Sequence, residues 1–546
     1  MFVPGIPSNQ RPAGQQRAYT ELLERLAGTL GPAWRVETYR HDLVASSRAD
    51  CDAVVGDLAA HIRQWAGEIS EDVEAPDAII IVGHSFGGVL ARAAFVHDVG
   101  DGGASRTPNS GRPWTRLVRR IVLLGTPNSG FRWDAPGMPR RWRLAYALAT
   151  PWADFAIEKV AAGGYWITDL RIRWLDTFRR LENPPRVVQV LGTRDDLVTR
   201  DDILDARFMP NTIEMEIPGA THAGLVDLST SDDPDQRYAQ LCAAVLGRQD
   251  EVVPVPEPVH SVPTFFILHG IRDSAYENWV QELSDAVTGL TEGAEARLVR
   301  PDTGYFSAFE FALPGTRKRK IHEFLQLYGD AYATGDPDRF VFAGHSNGTY
   351  MMARALDRVP SLRFSRIYLA GTVLPRNFAW QLLVERRQVG CYGPDGWTDG
   401  VVRNDRATQD VPVGVLCSWL RGLGSRDVGT AGMNGFEYAP AGMLDGARAY
   451  PGGHGAALMT HERLAAIAHF LVAGEGDLPP SGAPRTGFLW LSRLVGNPVV
   501  AWTGVLLLLG LIGWVIYAVA LAAGVGWAVG SAFGLLIVLW VLLRTI

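Results

Sequence analysis

Cysteine is scarce in this chain: Cys51, Cys242, Cys391 and Cys417 are all that 546 residues contain. They are far apart, with no C-x-x-C and no paired Cys/His spacing, which excludes a zinc ribbon and a disulfide framework and fits a reducing compartment. A Walker A loop and H-E-x-x-H are both missing, so neither a phosphate cradle nor a metalloprotease centre is indicated, and no metal or organic cofactor is expected. Charge is sparse as well. A net charge of -6 with 20% charged residues leaves no electrostatic footprint for nucleic acid. The one compact basic run, Arg317-Lys318-Arg319-Lys320, reads as a solvated helix start rather than a contact for anionic lipid. The opening MFVPGIPSNQ has no basic n-region and no long apolar h-region, so no secretory signal is expected in it. Near the other end, Pro498 to Leu543 holds no Asp, Glu, Lys, Arg or His. That is about twice the length of one bilayer crossing.

What is present centres on Ala78 to Ala93, AIIIVGHSFGGVLARA, an apolar strand running directly into a helix with a serine at the bend. Gly83-His84-Ser85-Phe86-Gly87 is G-x-S-x-G, where a sharp strand-to-helix turn leaves no room for a Cβ two residues either side of the serine. Such a turn exposes the Ser85 hydroxyl and places the Phe86 N–H beside it at the positive end of a helix. Arg339 to Ala353, RFVFAGHSNGTYMMA, repeats the arrangement around Ser346, with the Asn347 N–H in the corresponding place. The length of the chain also favours more than one core.

In the first half, Met1 to Val3 lead into Pro4-Gly5-Ile6, a turn that would present the Ile6 N–H to an oxyanion. Three residues are few for a buried parallel strand, so the sequence suggests a start further upstream. Helical periodicity over Arg17 to Leu30 and Ala53 to Ile69 alternates with apolar strands, which predicts a parallel sheet with helices on both faces. Leu117 to Leu124 ends in Gly125-Thr126-Pro127-Asn128-Ser129-Gly130, another tight loop at the carboxyl edge where function is expected. Residues 131–180, with Trp142, Trp152, Trp166 and Trp174, read as a cap or lid whose tryptophans as a group would line an apolar cleft, although any one of them taken alone reads better as a core anchor. Arg186 to Leu191 delivers Asp195, and a later loop delivers His222. The order Ser85, Asp195, His222 suits a nucleophile, an acid and a base; Asp196 is the nearest alternative acid, with Asp201 and Asp202 behind it.

Residues 248–263 form a Pro-rich linker. The second half, 264–472, opens with Phe265 to Leu268 and His269-Gly270-Ile271, whose Ile271 N–H would pair with that of Asn347. Arg366 to Ala370 then closes on Gly371-Thr372, as the earlier strand closes on Gly125-Thr126. For the acid, Asp410 is preferred over Asp427 because it repeats the D-x-x-V of Asp195 to Val198; His454 is the candidate base. A linker at 473–497 precedes a predicted transmembrane hairpin at 498–543, with spans at Pro498 to Leu521 and Gly526 to Leu543. Arg485, Arg493 and Arg544 flank its outer ends, which predicts that both ends, and the two domains before them, are cytoplasmic.

GHSFGGVLAR with LLGTPNSG, and then LHGI, AGHSNGTY, QDVPVG and GGHGAAL, resemble the α/β-hydrolase superfamily twice over, across roughly 1–247 and 264–472. The first set is similar to lipases and esterases, including relatives of GPI inositol-deacylases. The resemblance implies two tandem α/β-hydrolase domains, with Ser85 as nucleophile, Asp195 as acid, His222 as base and an acyl ester as substrate. Pro4 departs from it, standing where the family usually has the His of an HG turn. The expectation is a membrane-anchored serine hydrolase acting on ester or lipid substrates. A membrane scaffold or sensor in which one or both domains bind without turnover is the alternative.

Overall fold

The computed structural model describes the chain except for 6–12, 42–49, 68–75, 101–112, 133–134, 138–155, 248–253, 271–277, 292–295, 302–309, 312–313, 441, 475–488 and 524–546. Ile6, Ile271, part of the expected lid, parts of both linkers and the second expected span therefore lie outside the described residues. The chain divides into two compact units, Met1–Val259 with Tyr328–Thr334, and His260–Leu327 with Gly335–Ile546.

The first unit is built on five strands: β1 (Phe2–Val3), β2 (Ile79–His84), β3 (Val118–Leu124), β4 (Arg186–Gly192) and β5 (Thr212–Ile217). They lie side by side in chain order, and every neighbouring pair is parallel. Parallel strands covered on both faces need continuous apolar runs, and Ile79-Ile80-Ile81-Val82 and Ile121-Val122-Leu123-Leu124 supply them with β-branched residues suited to a pleated surface. The connecting helices are Ala13–Leu30, Cys51–Trp65, Phe86–Val99, Tyr165–Arg180 and Pro234–Leu246. Their starts are chemically marked. Asp50 accepts from the Asp52 N–H and Asp233 from the Gln236 N–H, the latter with Pro234 in the first turn.

Part of the expected lid is instead core. On helix Tyr165–Arg180, Trp174 and Phe178 are buried and meet Phe95 of the helix that follows Ser85, with ring centroids 6.1 and 6.0 Å away. Each such ring removed from water stabilises the fold by roughly 1.5–3 kcal/mol, which is why this face packs inward. Trp166 stays at the surface, donating to Asp52. Trp142 and Trp152 are outside the described residues.

The second unit has six parallel strands in the order β13-β12-β9-β8-β6-β7: β6 (Thr264–Leu268), β7 (Arg297–Val299), β8 (Phe340–His345), β9 (Arg366–Ala370), β12 (Val401–Ala407) and β13 (Met443–Tyr450). A separate antiparallel hairpin, β10 (Gly390–Gly393) with β11 (Gly396–Asp399), stands outside this sheet. Helices Asn278–Leu290 and His461–Ala473 cover one face around Val280, Leu283, Ile467 and Leu471, all buried. Thr460 caps the second of these, and Gly474 ends it in the left-handed conformation.

Among the described residues, one helix is long and apolar enough to cross a membrane, Pro498–Ala522. The chain stays helical to Ala523, through the first two residues of the expected turn at 522–525. One apolar helix, rather than a two-helix hairpin, is therefore what the described residues contain.

Candidate active site

Both elbow serines occupy a backbone conformation that side chains rarely adopt: Ser85 has φ 54°, ψ -128° and Ser346 has φ 51°, ψ -120°. The close approach of neighbouring backbone forces the turn. A Cβ on Gly87 would lie 2.0 Å from the Val3 carbonyl oxygen, and one on Gly348 would lie 2.6 Å from that of Leu268, at the end of the strand beside each elbow. Phe86 and Asn347 then open helices, where the first backbone N–H groups have no partner within the helix and face the serine edge of the sheet.

In the first unit the three distant residues meet. His222 Nε2 is 2.9 Å from Ser85 Oγ, and His222 Nδ1 is 2.9 Å from Asp195 Oδ2. The Asp195 side chain is fully buried, and its other oxygen accepts the Leu197 and Val198 N–H groups at 2.9 Å each. That leaves the carboxylate oriented from both sides. The alternative acids are placed elsewhere. Asp196 and Asp201 are exposed, and buried Asp202 accepts from the Thr199 N–H and hydroxyl; burial raises its carboxyl above the usual range.

The second unit brings together two of its three. His454 Nδ1 is 2.9 and 3.0 Å from the two oxygens of Asp410, whose Oδ1 also accepts the Val413 N–H at 2.9 Å. Among the described residues, however, buried His454 Nε2 has no hydrogen-bond partner, so Ser346 and His454 do not form the bond seen between Ser85 and His222. Asp427 is engaged elsewhere, 3.0 Å from Arg317 and 2.5 Å from the Tyr350 hydroxyl. Burial opposes its ionisation, but Arg317 and the Tyr350 hydroxyl hold its carboxyl below the usual range.

Two features are absent from a reading of motifs alone. The histidine preceding each serine reaches the backbone of the candidate base: His84 Nε2 is 3.1 Å from the His222 carbonyl oxygen, and His345 Nε2 is 3.4 Å from that of His454. The Tyr19 hydroxyl, 2.6 Å from His84 Nδ1, fixes the first ring from behind. The shared GHS of the two elbows is the signal that would have found them. Secondly, Gly125 and Gly371 have φ +51° and +50°, and a Cβ on either would press on the base. On Gly125 it would lie 3.2 Å from His222 Nδ1 and 3.1 Å from Asp195 Oδ2; on Gly371, 2.9 Å from His454 Cε1.

A cavity of about 1100 Å³ lined by Val118, Arg120 and Arg186 lies at the strand starts, the opposite edge of the first sheet from Ser85, and takes no part in this arrangement. Among the described residues no group of three or more His, Cys, Asp or Glu is placed to hold a metal ion.

Residues 1–241 match the model of the alpha/beta hydrolase family. No curated protein matches the chain. Similar solved structures include an N-formylmaleamic acid deformylase from Pseudomonas putida S16, 18% identical, aligned over 41% of this chain and 86% of its own with a TM-score of 0.24. A thermophilic esterase from Thermogutta terrifontis is 15% identical over 44% of this chain and 86% of its own, TM-score 0.24. The phospholipase PlaB of Legionella pneumophila is 16% identical over 36% of this chain and 38% of its own, TM-score 0.25. The match to the alpha/beta hydrolase family is thus confined to residues 1–241, and through them the chain is similar to that family.

Proposed function

We propose that the chain is a membrane-anchored serine hydrolase that cleaves carboxylic esters through an acyl-enzyme. The observation that carries this reading is the unbroken contact from Ser85 Oγ through both nitrogens of His222 to Asp195. Ser85 Oγ attacks the ester carbonyl carbon as its proton passes to His222 Nε2, and Asp195 holds the Nδ1 proton and stabilises the imidazolium. The oxyanion faces the Phe86 N–H at the positive helix end. His222 then returns the proton to the leaving alcohol, and water, deprotonated by the same nitrogen, releases the acid.

The second unit is read as a second hydrolase domain in tandem, over 264–472, with Ser346, Asp410 and His454 in the same roles and Asn347 supplying an oxyanion N–H. Support comes from the matching elbow backbone and the His454–Asp410 pair. The missing Ser346–His454 bond favours a second reading for this unit alone, that it binds a ligand without turnover. Helix Pro498–Ala522 would be the anchor. A further span at 526–543 would complete a hairpin, and the flanking arginines favour a cytoplasmic side for the hydrolase units. Anchorage makes acyl lipids the favoured substrate class.

The test is hydrolysis of a p-nitrophenyl ester series of increasing chain length by the full-length protein and by Ser85→Ala, Ser346→Ala and the double variant. Turnover lost with Ser85→Ala supports the reading. Turnover unchanged in the double variant removes it.

A further inference from the structure

The second unit's candidate acid and the apolar helix are physically joined. Asp410 leads directly into a π-helical turn, Pro412–Cys417, continued by helix Ser418–Gly422. The Asp410 side chain accepts the Val413 N–H and its carbonyl accepts the Gly414 N–H, so the turn and the carboxylate move as one piece. Short helix Leu489–Val495 and the first turn of Pro498–Ala523 pack on the far side of the same segment. Ser418 and Ser492 share a hydrogen bond of 2.7 Å with both residues buried. Gly422 is seated so closely that a Cβ there would lie 2.8 Å from Ala501 Cβ and 3.2 Å from the carbonyl oxygens of Val495 and Gly496. Ala501 is itself fully buried, although most of the helix beyond it is exposed apolar surface.

Resting on the reading of Ser346, Asp410 and His454 as a second hydrolase site, we infer that the membrane anchor is a working part of that site, fixing Asp410 through segment 412–422 and holding it at the bilayer surface to act on amphiphilic esters presented there. The distances set the scale. Gly422 touches the first turn of the apolar helix, and twelve helical residues span roughly 18 Å, so Asp410 lies within about 20 Å of where the bilayer crossing begins. The surface between is suited to an interface. Val411, beside the acid, and Trp490 and Leu494, on the docked helix, are exposed apolar side chains, while Arg421 and Arg493 supply cations for lipid headgroups. π-helical turns impose a local register shift, which gives this segment a defined way to transmit a displacement of its packed end to Asp410. Ser492 and Gly422 are thus positioning residues.

The experiment uses the full-length chain in phosphatidylcholine vesicles, with Ser85→Ala throughout so that turnover reports Ser346. Its parent is expected to favour a vesicle-borne long-chain p-nitrophenyl ester over soluble p-nitrophenyl acetate by at least about ten-fold in kcat/KM. Gly422→Ala, which separates the two helices, is expected to lower kcat by about ten-fold or more on both esters with KM little changed, because a displacement of order 1 Å in a catalytic group has that effect. Gly422→Ala with Ala501→Gly returns the space and is expected to restore most of kcat, which a general loss of folding would not allow. Ser418→Ala with Ser492→Ala is a second route to loosening the same contact and should lower kcat in the same direction. Unchanged kcat in Gly422→Ala, or no preference for the vesicle-borne ester, overturns the inference while leaving Ser346 a hydrolase nucleophile. Absence of any fluorophosphonate adduct on Ser346 in the parent overturns the hydrolase reading of the unit, and the inference with it.

Discussion

Replacing Ser85 by glycine should leave the first unit more stable than replacing it by alanine, against the usual order. Both variants lose the hydroxyl and its 2.9 Å bond to His222, so that loss cancels between them. What differs is the backbone, held at φ 54°, ψ -128°. A residue with a Cβ is strained there by about 1–3 kcal/mol, whereas glycine adopts it freely. Glycine ordinarily destabilises an element by about 0.5–1 kcal/mol relative to alanine through chain entropy. The difference favours glycine by about 1 kcal/mol, or about 2–4 °C in Tm for a domain of this size. Ser346, at φ 51°, ψ -120°, should behave in the same way in the other unit. Differential scanning calorimetry of the detergent-solubilised full-length chain reads both, since the transition moved by the Ser85 pair and not by the Ser346 pair belongs to the first unit. Both Ser85 variants should lack Ser85-dependent turnover. A Ser85→Ala chain as stable as Ser85→Gly, or more so, would refute the argument that the elbow stores strain.

Other perturbations separate neighbouring residues. Asp195→Asn should lower kcat by about 10³–10⁴-fold by favouring the wrong His222 tautomer, whereas Asp196→Asn, whose side chain is exposed, should stay within about two-fold in the same ester assay. Gly125→Ala should lower kcat by about 10²-fold with a folded chain by circular dichroism, because its methyl would meet both His222 and Asp195. His322 is buried and its pKa is lowered to about 3 by desolvation, with Lys318 adding to the effect. The unfolded chain therefore binds a proton below pH 6.5 that the folded chain refuses, so stability is full above that value and falls as pH drops from 6.5 towards 3. At pH 5 the loss is about 2 kcal/mol. His322→Gln should flatten this part of the profile in urea titrations at pH 7 and pH 5; an unchanged pH dependence would contradict it.

Much of the placement was legible because local sterics and chain order constrain it. G-x-S-x-G is readable since Gly83, Gly87 and Gly348 face neighbouring backbone with no room for a Cβ, and Arg366–Ala370 is a strand over the residues its apolar run predicts. The D-x-x-V shared by Asp195 and Asp410 also has a physical cause: in both units the valine N–H donates to the aspartate at 2.9 Å. That geometry sets Asp410, rather than Asp427, beside His454. Other features depend on packing that spacing does not encode. Strand β13, MLDGARAY, carries two charged residues and a glycine in eight, so nothing in its pattern announces a strand beside β12. Trp174 reads equally as lid or core until Phe95 and Phe178 are seen against it. The lack, among the described residues, of a hydrogen bond on His454 Nε2, and the grip of His84 on the His222 carbonyl, are likewise tertiary facts.

The most direct measurement is to treat the full-length protein with a fluorophosphonate at neutral pH, digest it and map the adduct by mass spectrometry, alongside a His222→Ala chain. The account predicts a phosphonyl group on Ser85 in the first chain and at least about a hundred-fold slower labelling in the second, because without the imidazole the hydroxyl keeps its proton. An unmodified Ser85 in the folded protein, or labelling indifferent to His222, would contradict it.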